Sequence, residues 1–330
     1  MSPWITDNRR PFRPGMRSRT LARALTSLLA MSCGADVPAH DQTTTAPAVT
    51  PGSKSDEAPG TAPHDHFVVS AFSLPMTAAA RLALGCDFDG DGTTDNQLAY
   101  LYEVIGMMRG DPTAAAQASL RRGDGLLLIE RSTGSEGPRI TTLRGESEEK
   151  EGFAPRLAFG GSGRFRRTGE PDVWRGHAGP GGFDLEVAAS TAVLPVPLGA
   201  GALAIVPVRE GRMYFEAEGD DAQGALCALI PESVLREQVL PAWAASLTDA
   251  ISRGGDQAER LCAMFDLDAR CAPSPDECGT RPPLAADGCI TAGVLLQHPL
   301  LKMVFRPDQK VGDQLALSFG IWFSAVPAVF

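Results

Sequence analysis

The sequence predicts an α+β fold: a β-rich antiparallel body with several packed helices and a disulfide-stapled C-terminal segment. Three observations predict it. Short apolar and β-branched runs recur between turn-forming stretches, and the 330-residue chain holds 35 Gly and 26 Pro. A few segments instead carry apolar residues at helical spacing. Six of the seven cysteines lie beyond the first 80 residues, four of them between positions 262 and 289. Hydrophobic residues make up 43% of the chain, enough for a large core, while a formal charge of −10 excludes nucleic acid as the main partner.

Residues 1–32 read as an export signal. Six arginines face one acid, Asp7, and a short apolar run from Ala24 to Met31 precedes Ser32-Cys33. That run is too short to cross a bilayer. Met16 is an alternative start that leaves a compact signal. Leu29-Ala30-Met31-Ser32-Cys33 resembles the lipobox of bacterial lipoproteins, although Ala30 stands where that family has Leu. The resemblance implies that Cys33 is diacylated and ties the mature chain to a membrane; plain cleavage near Cys33 is the alternative. Gly34 after the cysteine agrees with outer-membrane sorting in the lipoproteins it resembles. The expected location is therefore exported: the outer membrane, the periplasm or the cell surface.

Removing residues 1–32 leaves a formal charge of about −15, which suits solubility and divalent cations. Residues 33–65 are rich in Pro, Thr, Ala, Ser and Gly and read as a disordered linker. His64-Asp65-His66 at its end lacks a third metal ligand nearby. A single folded domain is expected over 66–330, opening on a strand at Phe67–Phe72.

The sharpest signal follows. Asp87-Phe88-Asp89-Gly90-Asp91-Gly92-Thr93-Thr94-Asp95 reads D-x-D-x-D-G-x-x-D. Acids at alternate positions point several carboxylates into one concavity, and Gly92 permits the sharp turn. Without a counter-charge they repel one another, and a hard cation with a flexible oxygen shell, Ca²⁺, relieves this better than Mg²⁺. Asp87, Asp89 and Asp91 are the expected side-chain ligands. Thr93 is expected to give its carbonyl, and Asp95 to close the shell directly or through water. The loop resembles those of thrombospondin-type and integrin-propeller repeats; it is not an EF-hand, because Leu98 replaces the closing Glu.

Leu98, Leu101, Tyr102, Ile105 and Met108 then form one helical face, with Asp95 or Asn96 as its cap and Gly110 at its end. Asp111-Pro112 starts a second helix reaching Arg122. Leu126–Ile129 reads as a buried strand. Further strands are expected at 139–143, 164–168, 183–188, 202–208, 212–218 and 315–326, with a Gly-rich turn over 176–182. A long helix over 232–252 is expected to kink at Pro241, and a shorter one covers 257–265.

The segments DNQLAYLYEVIG, GDGLLLIER, GALCALIPESVL and LSFGIWFSAVPA resemble predicted lipoproteins of myxobacterial type. That resemblance implies export and a calcium loop, and no known activity. With Cys33 taken for lipid, Cys86, Cys227, Cys262, Cys271, Cys278 and Cys289 remain as disulfide candidates, and their spacing leaves fifteen pairings open. A zinc cluster is the rival, but no C-x₂-C pair occurs. Asp287-Gly288-Cys289-Ile290-Thr291 resembles half an EF-hand without its upstream acids.

Catalytic motifs are not recognised. Gly160-Gly161-Ser162-Gly163 lacks the Lys of a phosphate loop, and Arg164 replaces the last Gly of a hydrolase elbow. His177 and His298 stand apart, and Asp266 and Asp268 face different ways on a helix. The expectation is a non-enzymatic envelope protein that meets an unidentified protein or envelope partner. A secreted hydrolase whose site assembles only in the fold is the alternative.

Overall fold

The computed structural model describes residues 66–107, 111–134, 137–148, 154–179, 182–187, 191–199, 202–219, 221–265 and 290–330. The expected signal, the linker, Cys33, Cys271, Cys278, Cys289 and the half EF-hand up to Cys289 lie outside them. No described helix is long and apolar enough to cross a membrane.

The body is a ten-stranded, almost wholly antiparallel sheet with helices packed on it, so the α+β, β-rich class holds. The strands are β1 (His66–Ser73), β2 (Leu127–Gly134), β3 (Gly137–Ser147), β4 (Gly163–Gly179), β5 (Gly182–Val187), β6 (Ala192–Gly199), β7 (Ala202–Glu218), β8 (Asp221–Pro231), β9 (Gln309–Val311) and β10 (Gln314–Val329). Eight of them run β1-β2-β3-β4-β5-β7-β8-β10, and β10 pairs back with β1, from Phe67↔Pro327 to Ser73↔Trp322. The circuit is closed. β6 extends it beside β7, and β9 beside the start of β10.

Alternation along the strands explains what the circuit encloses. Phe67, Trp174, Leu185, Met213, Phe215, Leu226, Ile321 and Phe323 are all buried in one core. The Phe215 ring lies 5.8 Å from that of Phe67 and 6.4 Å from that of Phe323, so side chains fill the interior. Val68, Leu128, Leu143, Phe165 and Ala328 form a smaller core of their own. It sits where the end of β10 pairs in parallel with the start of β4. Phe67-Val68-Val69 is therefore buried on both faces of β1.

The helices of six residues or more are α1 (Ala78–Leu84), α2 (Ala99–Met107), α3 (Pro112–Arg121), α4 (Leu240–Ser252), α5 (Asp256–Phe265), α6 (Ala292–Gln297) and α7 (Pro299–Val304). Asp111 caps α3 by accepting from the Ala114 N–H at 2.9 Å, with Pro112 in its first turn, as expected. Tyr100 is exposed, whereas Tyr102 is buried and donates to the Pro197 carbonyl at 2.8 Å.

The helix expected over 232–252 forms: Glu232–Val234, the wider π-helical turn Leu235–Val239 and α4 run on with helical dihedrals, and Pro241 follows directly on the wider turn. Three local expectations change. Gly176 belongs to β4 and not to a turn: a Cβ there would meet the Asp184 carbonyl at 1.8 Å, so glycine serves close strand approach. Neither Asp95 nor Asn96 caps α2 with its side chain, because both carboxyl and amide are engaged elsewhere. The helix α1, capped by Thr77 through the Ala80 N–H, was not foreseen, nor were β6, β9, α6 and α7.

Candidate metal centre

The acidic loop hangs from a fixed neck. The Asp95 N–H donates to the Cys86 carbonyl at 2.7 Å, and the Cys86 N–H returns a bond to the Asp95 carbonyl at 3.3 Å. Cys86 is also disulfide-bonded to Cys227 on β8, with a Cα separation of 6.2 Å. Cys262 is disulfide-bonded too. Immediately after the loop, Asn96 docks it on β10: its Oδ1 accepts from the Gly320 N–H at 2.9 Å and its Nδ2 donates to the Gly320 carbonyl at 3.1 Å. A side chain at Gly320 is impossible, since a Cβ would lie 1.8 Å from the Leu84 carbonyl.

Within the neck, the aspartates fold the backbone. Asp87 accepts from the Gly90 N–H at 2.7 Å and from the Gly92 N–H at 3.0 Å. Asp89 accepts from the Asp91 N–H at 3.1 Å, and Asp95 from the Phe88 N–H at 2.8 Å. Gly90 (φ 78°) and Gly92 (φ 88°) occupy the left-handed region that such turns require. Arg212 of β7 braces the loop from the side, donating to the Asp87 carbonyl at 2.7 Å while its guanidinium lies 5.1 Å from the Phe88 ring centroid.

The result is a group of three. Asp87, Asp89 and Asp95 each offer a carboxylate oxygen, and these oxygens lie within 4.8 Å of one another. Asp91 is not part of that group: its carboxylate accepts from the Thr93 N–H at 2.6 Å and from the Thr93 hydroxyl, which holds its pKa below the usual carboxylate range. Burial pushes the Asp95 pKa up to about 6, and the charges of Asp89 and Asp308 push the same way against the Phe88 N–H. An all-oxygen donor set whose most buried member is short of positive charge fits a hard cation. The group can hold a metal ion.

Asp308, before β9, is the neighbour that sequence spacing did not disclose. Its carboxylate accepts from the Ser318 N–H at 2.8 Å and from the Ser318 hydroxyl. Burial raises its pKa, and Asp89 adds to the rise. Asp308 is more than 200 residues from the loop, so only the sheet brings them together. Elsewhere, His177 Nε2 lies 4.0 Å from Asp184 Oδ2, beyond hydrogen-bond reach. No family model, curated protein or solved structure matches the chain.

Proposed function

We propose that the chain is an exported, lipid-anchored and non-enzymatic protein of the cell envelope, in which a Ca²⁺ ion fixes the loop 87–95. The observation that carries this reading is the convergence of Asp87, Asp89 and Asp95 within 4.8 Å. Ca²⁺ is favoured over Mg²⁺ because the three carboxylates also serve the loop's own N–H groups, an irregular shell that a larger, more tolerant ion accepts. The Cys86–Cys227 disulfide supports an oxidising compartment. Arg-rich residues 1–32 and Cys33 supply the route there and the lipid attachment.

In this reading Asp87, Asp89 and Asp95 hold the ion, which supplies positive charge and nothing else. Its work is structural: it fixes a loop sewn to β8 by a disulfide and to β10 by Asn96. Thermal unfolding tests it. Millimolar Ca²⁺ raises Tm over the value in EDTA, and Asp89→Asn removes the difference; equal melting in both solutions overturns the reading. The intact mass of the mature protein, with or without a diacylglyceryl group on Cys33, tests the anchor separately.

A further inference from the structure

A groove of about 700 Å³ opens on the body between α3, β1 and the turn that leads into β4. Its walls are Ser70, Gln117, Arg121, Pro155, Arg156 and Phe159. Among the described residues no acid lines it, and neither Arg121 nor Arg156 forms an ion pair. That is against the composition of the chain, in which acids outnumber bases 40 to 30. β1 carries a bulge between Val69 and Ala71, and the Gln117 amide faces it, 3.2 Å from the Ser70 carbonyl and 3.3 Å from the Phe72 nitrogen. One lip is the kinked turn Ala158–Ser162, where Gly161 has φ 85° and Phe159 sits half-buried. Arg156 comes from the short helix Pro155–Leu157 that runs into this turn, and Arg121 from the end of α3.

We propose that this groove binds a phosphate monoester carrying an apolar group. Two planar guanidiniums present paired N–H donors suited to phosphate oxygens. A monoester carries between about 1.5 and 2 negative charges at neutral pH, which two arginines match and a single carboxylate does not. Phe159 and Pro155 give the apolar wall for the rest of the ligand. Ser70 and Gln117 are polar groups at the floor. The ligand is either a soluble alkyl phosphate or the headgroup of a lipid.

The test uses the full chain carrying Cys33→Ser, so that no acyl chain of its own contributes. Hexyl phosphate is titrated by calorimetry, and vesicles of phosphatidylcholine with and without phosphatidic acid are tested by co-sedimentation. Binding of hexyl phosphate, weakened about tenfold or more by Arg121→Ala and by Arg156→Ala, supports a soluble ligand. Sedimentation with phosphatidic acid vesicles alone, lost in the same variants, supports a headgroup. Both side chains are exposed, so both variants are expected to keep the wild-type Tm, and Arg139→Ala on β3 serves as the control. Absence of binding to both probes, or binding unchanged in both variants, overturns the proposal.

Discussion

Single side chains carry unequal weight around the loop. Asn96 is 3% exposed and satisfies both backbone groups of Gly320, so its removal strands a donor and an acceptor in a buried place. Asn96→Ala is expected to cost about 2–3 kcal/mol, read as a lower midpoint in urea unfolding. Asp172 on β4 behaves differently. Burial raises its pKa, although it accepts from the Val193 N–H at 2.8 Å and faces the charge of Arg144. A raised pKa means that the folded chain holds the proton more firmly than the unfolded one. Ionised Asp172 therefore subtracts from stability near pH 7, and that loss is recovered as pH falls through the folded pKa toward the ordinary carboxylate range. Asp172→Asn, which keeps an acceptor for Val193, is expected to raise Tm at pH 7 and to leave it unchanged near pH 4.

The acidic loop is the element whose shape was most legible in the sequence, because its information is local. D-x-D-x-D-G-x-x-D already places the turns, and the glycines at 90 and 92 take the left-handed conformations the turns need. The convergence of Asp87, Asp89 and Asp95 follows from that spacing. What spacing could not convey was the use of Asp91, whose carboxylate finds Thr93 two residues away, and the arrival of Asp308 and Arg212 from distant strands. α3 was legible through Asp111-Pro112, whereas β6 was hidden because Pro195 and Pro197 argue against a strand. The neck of the loop makes a prediction at this scale. Cys86 and Cys227 close 141 residues of sequence separation, so replacing both by Ala is expected to cost about 2–5 kcal/mol in thermal or urea unfolding. The same variant is expected to bind Ca²⁺ more weakly by calorimetry, because the neck then rests on two backbone hydrogen bonds.

At the scale of the molecule, the sequence announces strands but not their closure. Nothing in Phe67-Val68-Val69 names a partner some 260 residues later, and only burial on both faces of that run hints at a central strand. Closing first strand on last makes the contact order high, so folding is expected in milliseconds to seconds by stopped-flow fluorescence of the buried tryptophans. Deleting β10 is expected to abolish cooperative unfolding altogether and not merely to trim an edge, since β1 and β8 both lose a neighbour. The circuit also has a bearing on how the protein lives among its own copies. Within the closed ring each described strand has a neighbour on both sides, and the outlying strands are poor templates: β6 carries two prolines without N–H groups, and β9 is three residues long with Lys310 in its middle. Among the described residues there is therefore little free ladder for a second copy to join.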